Sequence, residues 1–457
     1  MANNTILSAN VGVGDTIRDI DRDDAGIKTP ILLLDVGGAA GEALVGDPGV
    51  ELPVKIKTLD GPANDAFARL RVSQPATLFD AQMTYDLQPL LYEQITAETG
   101  ATIAYDSTNR MALMTFAATP VGGKAYMQTY EYFRYQPGKS QLIFTTYNFK
   151  AQVADVLKFI GYSDGTNGIE FQNDGTKNQF VIYSGTANGN QVAEQADWNL
   201  DTLDGDGPSG ITLDISKTQL LVIDFQALYI GRVRCGFSFA GKIVYVHEFD
   251  AANLLTVPYM QNANLPVRGG MISTATGGTV STTMNHICSS VSSEGGIEDT
   301  HGYTFTAEGT VTAGSGVDTH ILSIQPKATF NSIPNRSKFQ LESVEVLVTG
   351  TNPVLWKLCL GQALTGETLT DVNATYSAVQ TVAGALSGSP AIILASGYNP
   401  TASTGSSTTV TKQFMNRYPI TLDAAGAARI MGRLTILVQG IGGTSATRCK
   451  LNWREVR

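Results

Sequence analysis

The sequence predicts an all-β protein with an extended N-terminal arm, a central jelly-roll or β-sandwich domain and a second, smaller β-sandwich at the C-terminus. From Lys124 onward, short runs that alternate apolar and polar residues are bounded by pairs such as Pro-Gly, Asp-Gly and Asn-Gly, which favour turns. No helical periodicity separates these runs, and such spacing is typical of sandwiches and jelly rolls. Only 16% of the residues are charged, so Ser, Thr, Asn, Gln and Gly supply much of the polar surface.

Residues 1–60 form the predicted arm, in which Gly and Asp interrupt short apolar runs. A segment with so little to bury is expected to order by adding strands to a neighbour, in the same chain or another. A partly flexible arm explains the same pattern equally well.

The jelly-roll domain is predicted over residues 61–290, with a junction and the first strands in residues 61–120. Around residues 89–98 the sequence predicts one short helix. The run "TIAYDSTNRMALMTFAA" then predicts a hairpin that turns at "DSTN". Further along, "FAGK" predicts a hairpin turn between residues 235–239 and 243–247.

The junction contains the stretch "FARLRVSQPATLFDAQMTYD", which alternates like a strand and then breaks at Pro75. In a strand, Arg69 and Arg71 would point to one face, where carboxylates of a neighbour could pair with them. The apolar residues that follow the proline are expected to clamp this segment onto the jelly roll: Leu78, Phe79 and Met83.

The last part of the chain is predicted to be a separate β unit. Residues 291–304 differ in composition from their surroundings, which predicts a linker, and residues 305–457 are assigned to the second sandwich. Runs such as "THILSIQP", "FQLESVEVLVTG" and "RLTILVQGI" are its predicted strands. We find no strict internal repeat.

Charge and targeting signals argue against several classes of protein. The net charge of −10 disfavours a protein that binds nucleic acid through its phosphates. The N-terminus lacks a basic region followed by an apolar one, and no run of about 18 apolar residues occurs, so we expect neither a secretory signal nor membrane insertion. The cysteines lack metal-binding spacing and are expected to be reduced, mostly buried thiols: Cys235, Cys288, Cys359 and Cys449.

Two acidic loops have the oxygen-rich composition that a hard cation such as Ca²⁺ prefers. In "DTLDGDGPSG" the carboxylates are Asp201, Asp204 and Asp206, but the EF-hand register fails, because counting from Asp204 places Pro208 at the fifth position. The second loop offers four oxygen-bearing side chains: Asp164, Asn167, Glu170 and Asp174. Asp-Gly and Asn-Gly pairs are ordinary turn formers, so structural turns are the favoured interpretation of both loops.

Catalytic signatures are absent from the sequence: no GxSxG, HExxH or phosphate-binding loop occurs. The four histidines are scattered and no pair has the i,i+4 spacing of a helical metal site: His247, His286, His301 and His320. We therefore predict a protein that is not an enzyme, with no catalytic, metal-binding or cofactor-binding residue.

Two weaker features would suit carbohydrate chemistry. Asp224 and Glu248 lie on apolar strands and are the best candidates for the opposed carboxylates of a glycosidase. Asp224 could equally pair with an arginine such as Arg232 or Arg234. A nearby aromatic run could form a sugar-binding platform or part of the core: Tyr130, Tyr132, Phe133 and Tyr135.

The junction stretch, residues 67–80, resembles a family of virion structural proteins of tailed bacteriophages, which carry a run of the form F-(G/A/N)-RLRVS-x-P-x-T-(L/I)-F-D after a Gly/Asp-rich arm. Residues 132–141, "YFRYQPGKSQ", and residues 198–228, from "WNLDTLDGDG" onward, are similar to further motifs of that family. The resemblance extends over residues 10–260, and residues 300–457 resemble no family that we can name. It implies a particle component whose middle region is a concanavalin-type jelly roll, and it implies no catalytic residue.

These expectations define a non-enzymatic structural component of a tailed-phage virion. A tail, collar or baseplate-associated fibre or adhesin-type subunit is the first interpretation, and a capsid decoration protein is the alternative. A carbohydrate-binding or polysaccharide-degrading receptor-binding protein is an alternative of a different class. The expected partners are other virion proteins of the tail, neck or capsid, further copies of the chain, for example in a trimer, and a host surface glycan.

Overall fold

A computed structural model describes residues 4–5, 17–18, 61–117, 121–226, 228–274, 281–296, 301–388, 392–401, 408–411 and 420–457. The chain divides into two compact units, Met1–Leu59 and Asp60–Arg457. In the first unit, β1 (Asn4–Thr5) pairs antiparallel with β2 (Ile17–Arg18). The rest of the predicted arm lies outside the described residues. Within the described part of the chain, no helix is long and apolar enough to span a membrane.

The second unit begins with a sandwich of two antiparallel sheets, here called the first sandwich. One sheet has seven strands in the order β12 (Gln191–Glu194), β11 (Asn178–Ser184), β10 (Asn167–Asn173), β9 (Val156–Ser163), β16 (Val267–Ser273), β7 (Lys124–Thr129) and β4 (Tyr92–Ala97). The other has eight, in the order β15 (Lys242–Phe249), β14 (Val233–Phe239), β13 (Gln219–Phe225), β8 (Gln141–Asn148), β17 (Thr282–Ser293), β6 (Met111–Phe116) and β5 (Ala101–Asp106), with β3 (Ala76–Gln82) also paired to β17.

The second sandwich follows, with its own pair of sheets. Four strands form one sheet in the order β18 (Tyr303–Ala313), β29 (Ser445–Val456), β22 (Lys338–Val348) and β27 (Thr408–Thr411). Six form the other, in the order β24 (Leu364–Asp371), β25 (Val379–Leu386), β19 (Thr319–Pro326), β28 (Leu434–Gly440), β23 (Val354–Leu360) and β26 (Ile392–Asn399). A short hairpin of β20 (Thr329–Phe330) and β21 (Ile333–Pro334) lies outside both sheets.

Each sandwich buries its own hydrophobic core between its sheets. Alternation builds these cores, because successive side chains of a strand point to opposite faces. Along β29, for example, buried and exposed residues alternate from Ser445, which brings Cys449, Leu451 and Trp453 into the second core. The first core is rich in aromatic rings, with Phe171 lying 5.2 Å from Phe237 in an edge-to-face pair.

The all-β prediction is confirmed, and no α-helix occurs among the described residues. The short helix expected around residues 89–98 is wrong: this segment is the edge strand β4, in which Ile95 pairs with Tyr126 of β7. Pairing with a neighbouring strand outweighs the weak helical preference of such a short run. Both expected hairpins are present, and at "FAGK" the turn residues Ala240 and Gly241 both have positive φ, as a tight hairpin requires.

Candidate functional site

The N-terminal edge of the first sandwich is a folded loop, residues 61–72, here called the junction loop. Its backbone closes on itself, because Asp65 N–H donates to the Arg69 carbonyl at 2.8 Å and Arg71 N–H donates to the Ala63 carbonyl at 2.9 Å. The buried Asp65 carboxylate accepts from the N–H groups of Phe67 and Arg69, both at 2.9 Å, and from Arg69 Nε at 2.8 Å. The expectation of a strand with Arg69 and Arg71 on one face is therefore wrong, because the loop turns Arg69 back onto Asp65.

Arg71 instead reaches a buried carboxylate in the first sandwich. Its Nη2 lies 2.6 Å from Oδ2 of Asp224, and Nη2 of Arg234 lies at the same distance from that oxygen. Tyr245 donates to Oδ2 at 2.8 Å, and Ser140 donates to Oδ1 at 2.8 Å. Asp224 has no exposed surface, so these donors replace the water that a buried charge requires. Burial and the charge of Asp224 raise the pKa of Tyr245 above its usual value, so its hydroxyl remains a donor.

Backbone groups of the junction loop complete this Asp224 network. Arg234 Nη2 donates to the Asn64 carbonyl at 2.7 Å, and Arg232 Nη2 donates to the Ala66 carbonyl at 3.1 Å. Ala66 N–H in turn donates to the Ser140 hydroxyl at 3.2 Å. The loop is thus fastened onto the sheet by Arg232 and by Arg234, and Arg234 also neutralises the buried aspartate.

The suggested glycosidase pair of Asp224 and Glu248 is wrong in this structure. Strand register places Arg234 directly between them, opposite Asp224 on β13 and opposite Glu248 on β15. Glu248 itself lies 3.4 Å from Arg232. A glycosidase needs space for sugar and water between its carboxylates, and here a guanidinium fills that space. The alternative that Asp224 pairs with an arginine such as Arg232 or Arg234 is confirmed for Arg234, whereas Arg232 pairs with Glu248.

The apolar residues after Pro75 pack as expected, although they do so from a strand. β3 begins at Ala76, and Phe79 lies opposite Val291 of β17. The ring of Phe79 is 4.9 Å from that of Phe133, Met83 has no exposed surface, and Leu78 packs against the same core.

The acidic loop around Asp201 is a set of turns. Asp201 accepts from the N–H of Leu203 at 2.9 Å and from that of Ser209 at 2.7 Å. Asp204 accepts from Asp206 N–H at 2.9 Å. Across the described residues, no group of three His, Cys, Asp or Glu side chains is arranged to hold a metal ion. These contacts fit the interpretation of the loop as structural turns.

The second acidic loop does not bring its four residues together. Asp164 and Asp174 flank opposite ends of β10, and each accepts backbone N–H groups of its own turn through Oδ1. Between them, Glu170 is buried in the sheet and lies 3.2 Å from Arg268. Asn167 accepts from the backbone N–H of Gln261 at 2.8 Å.

The aromatic run of residues 130–135 does not form an open platform. The guanidinium of Arg429 lies 3.5 Å from the ring centre of Tyr130, and that of Arg336 lies 4.1 Å from the ring centre of Tyr132. The two other rings face the first core: Phe133 has no exposed surface, and Tyr135 stacks on Phe225 at 5.6 Å.

These two arginines belong to the second sandwich, so the aromatic run forms a joint between the sandwiches. Lys338 pairs with Glu131 at 2.9 Å, and Ala424 N–H donates to Glu93 at 2.7 Å across the same boundary. Burial lowers the pKa of Arg429 to about 10, and burial raises the pKa of Tyr132 to about 12. Both groups therefore keep their neutral-pH charge states, which preserves the cation–π contacts.

A cleft of about 850 Å³ opens beside the joint. The first sandwich contributes mainly amide and carboxylate side chains to it, and the second contributes an apolar patch together with Arg336, Ser337 and Arg457. Its lining includes these residues: Tyr132, Asp164, Asn167, Gln261, Asn262, Asn264, Ile333, Pro334, Arg336, Ala424 and Ala425.

The histidines do not meet in a shared site. His286 and His320 each hydrogen-bond a serine three residues later, at 2.7 Å and 2.8 Å. His247 accepts from Asn199 N–H at 3.3 Å, and His301 is exposed. All four cysteines are free thiols, as expected, and three of them are buried.

The described chain is therefore a two-sandwich β protein whose most elaborate polar site is an architectural network. No protein-family model and no curated protein sequence matches it. Solved structures match about half of the chain. A glycoside hydrolase family protein from Mycobacterium thermorestibile is 12% identical, with 47% of this chain and 99% of that one covered and a TM-score of 0.33. The Bacillus licheniformis β-glucanase is 12% identical (48% and 99% covered, TM-score 0.30), and a conserved carbohydrate esterase of the Shiga toxin-encoding bacteriophage phi24B is 13% identical (48% and 99% covered, TM-score 0.31). At this identity and TM-score, the similarity assigns no activity to the present chain.

Proposed function

We propose that this chain is a non-enzymatic structural subunit of a tailed-bacteriophage virion, placed in a tail, collar or baseplate-associated fibre. The observation that carries the proposal is the Asp224 network beneath the junction loop. Arg71 belongs to the stretch that resembles virion proteins, and its contact with Asp224 joins positions 153 residues apart. Asp224, a candidate catalytic carboxylate, therefore holds that stretch against the first sandwich.

The joint supports the same proposal, because a structural subunit must transmit load without bending. Two cation–π contacts, one ion pair and one charge-assisted hydrogen bond connect the sandwiches. Several such contacts across one boundary restrict motion more than any single surface ion pair would. In this proposal residues 1–59 attach the subunit to the particle, and the second sandwich faces outwards or contacts the next subunit.

Copy number in purified virions tests the proposal. A fibre with cyclic symmetry predicts about a dozen copies or fewer, whereas decoration of the whole shell predicts hundreds. Quantitative mass spectrometry with isotope-labelled peptides of this chain measures the number directly. Hundreds of copies would replace the fibre with a decoration protein, and absence from the virion would overturn the structural role.

The non-enzymatic part of the proposal has its own test. The purified chain is incubated with host surface polysaccharide, and release of reducing ends is followed over time. We expect no release above that of a heat-denatured sample. Cleavage that survives in the Asp224→Asn variant would place a catalytic site elsewhere in the chain.

A further inference from the structure

We propose that the cleft beside the joint binds a neutral oligosaccharide. Its volume of about 850 Å³ lies within the range of roughly 300–1,000 Å³ that is usual for sites of small ligands. Its two walls differ in chemistry, and this difference identifies the class of ligand. The inference does not depend on the particle role proposed above.

The wall from the first sandwich is built of amides whose orientation is already fixed. Asn264 Oδ1 accepts from Tyr135 N–H at 2.8 Å, and Asn167 Oδ1 accepts from Gln261 N–H at 2.8 Å. Asn262 holds the intervening turn through two hydrogen bonds to the backbone of Asn264, both at 2.9 Å. Because Oδ1 makes these contacts, the NH₂ groups of Asn264 and Asn167 remain to donate elsewhere.

Acceptors are available on the same wall. Asp164 uses Oδ1 for both hydrogen bonds that its turn gives it, from Thr166 and Asn167, so Oδ2 can accept from a ligand. Gln261 has an exposed side chain that carries both a donor and an acceptor. A sugar hydroxyl also donates and accepts, so a row of amides with one carboxylate complements it.

The opposite wall combines an apolar patch with the polar residues Arg336, Ser337 and Arg457. Ile333 is 67% exposed although it borders the cleft, and Pro334, Ala424 and Ala425 continue the surface. A sugar ring presents C–H groups on its faces and hydroxyls at its edge, so a wall of amides opposite an apolar patch fits a saccharide lying between them.

The two arginines of the cleft already use their hydrogen-bond donors within the protein, which favours a neutral ligand over a phosphorylated or acidic one. Arg336 donates to the carbonyls of Asp423 and Ala424 at 2.8 Å and 3.1 Å while it covers Tyr132. Arg457 lies 2.9 Å from Glu455. Both guanidiniums are thus engaged within the protein, and Asp164 would repel an anion.

The experiment uses the full chain with a panel of short neutral gluco-, manno- and galacto-oligosaccharides, and acidic oligosaccharides in parallel. Saturation-transfer NMR detects binding, and titration calorimetry gives the affinity. For the saccharide that binds, Gln261→Ala and Ile333→Ser should each weaken binding about tenfold, which corresponds to the loss of one good hydrogen bond or of one apolar contact.

Matched controls lie outside the cleft. Gln152→Ala removes an exposed glutamine of the first sandwich, and Ile393→Ser removes an isoleucine of the second that is 50% exposed. Both controls should bind within twofold of the wild type, and far-ultraviolet circular dichroism confirms that all four variants are folded. The inference is overturned if no neutral saccharide binds, if only acidic ones bind, or if the cleft variants bind as tightly as the controls. None of these results affects the copy number, so failure here is distinct from failure of the structural role.

Discussion

The first and second sandwiches contain the same local device in one strand each. In β17, His286 is followed by a bulge at Ile287 and hydrogen-bonds Ser289; in β19, His320 is followed by a bulge at Ile321 and hydrogen-bonds Ser323. The sequences at the two places are "HICS" and "HILS". A threonine of the neighbouring strand lies opposite each serine, Thr145 in the first sandwich and Thr435 in the second, but only Thr435 hydrogen-bonds its serine, at 2.7 Å. In both sandwiches, therefore, a β-bulge is stabilised by a histidine–serine hydrogen bond within its own strand, and such bulges bend a strand locally.

The sandwiches differ in how they neutralise their buried carboxylates. Asp224 in the first is bound by two arginines, one of which comes from the junction loop. Glu455 in the second is also fully buried, but its donors are the Ser377 hydroxyl at 2.6 Å, the Ala378 N–H at 2.8 Å, the indole of Trp453 and one partly exposed arginine. The first sandwich therefore depends on a segment outside its sheets, whereas the second is stabilised mainly by neutral groups of its own fold.

The largest effect is expected for Asp224→Asn. The substitution keeps the shape of the side chain but leaves Arg234 without its anion and Arg71 with only Glu294 at 3.7 Å, and breaking a buried pair destabilises by about 3–5 kcal/mol. Urea unfolding followed separately in the two sandwiches should show the loss only in the first. The control is Asp80→Asn, which changes an exposed aspartate of β3 and should leave both transitions in place. An equal loss of stability in both sandwiches would contradict the conclusion that Asp224 stabilises only the first.

Acid should weaken the first sandwich through His286. Burial lowers the pKa of this histidine to about 4, below its value in the unfolded chain. The unfolded state therefore binds the proton more readily, so stability is complete above about pH 6.5 and falls as the pH drops towards 4. Between about pH 7 and pH 5 the contribution of His286 to this loss should be about 2 kcal/mol, beside that of His247, whose pKa burial also lowers to about 4. His286→Gln should reduce the dependence of the first sandwich's stability on pH. If that dependence is unchanged in the variant, it comes from other groups.

The second sandwich should respond in the same direction, because burial and the nearby charge of Arg433 lower the pKa of His320. Comparing the stability of His320→Gln with that of His286→Gln, at matched pH values, shows whether the two histidines titrate independently. If either single substitution removed the acid response of both sandwiches, the two histidines would not act independently.

Glu455→Gln should destabilise the second sandwich by about 1–2 kcal/mol. The amide still accepts from its neutral donors through one oxygen, but its NH₂ group then faces the Ala378 N–H or Arg457. The effect should be smaller than that of Asp224→Asn, because fewer buried charges lose their partner. Differential scanning calorimetry measures it, with the exposed Glu345→Gln of β22 as control. An effect as large as that of Asp224→Asn would show that neutral donors matter as much as arginines.

The sequence predicted features that depend on neighbours in the chain. Alternation and turn pairs were sufficient for the all-β class and for the hairpins at "DSTN" and "FAGK", since both depend on a few adjacent residues. The short helix failed because β4 is decided by pairing with β7, about 30 residues later. The repeated "HIxS" pattern was present in the sequence, and a search for short motifs shared by the two halves would have found it.

Long-range partners could not be predicted in the same way. Pairing of Asp224 with Arg234 was among the alternatives, because the two lie on adjacent strands of one hairpin. Arg71 was expected to meet some carboxylate, but the folding of residues 61–72 into a closed loop decides that it meets Asp224. The aromatic run was ambiguous for a similar reason: the arginines that cover Tyr130 and Tyr132 come from the second sandwich, about 200–300 residues further along.

The smallest effect is expected for Arg429→Ala at the joint. Loss of the guanidinium over Tyr130 removes a partly buried cation–π contact, which contributes about 1 kcal/mol to the association of the sandwiches. Neither core loses a side chain, and the second sandwich loses the hydrogen bonds from Arg429 to Thr421, so the unfolding of each sandwich should change little. Hydrogen exchange of the backbone near Tyr130 should increase, and small-angle scattering should show a broader range of dimensions. Arg448→Ala, an exposed arginine of β29 away from the joint, is the control. If Arg429→Ala instead unfolded the second sandwich, this arginine would have to be counted as part of that fold, and the two regions would be less independent than their separate cores indicate.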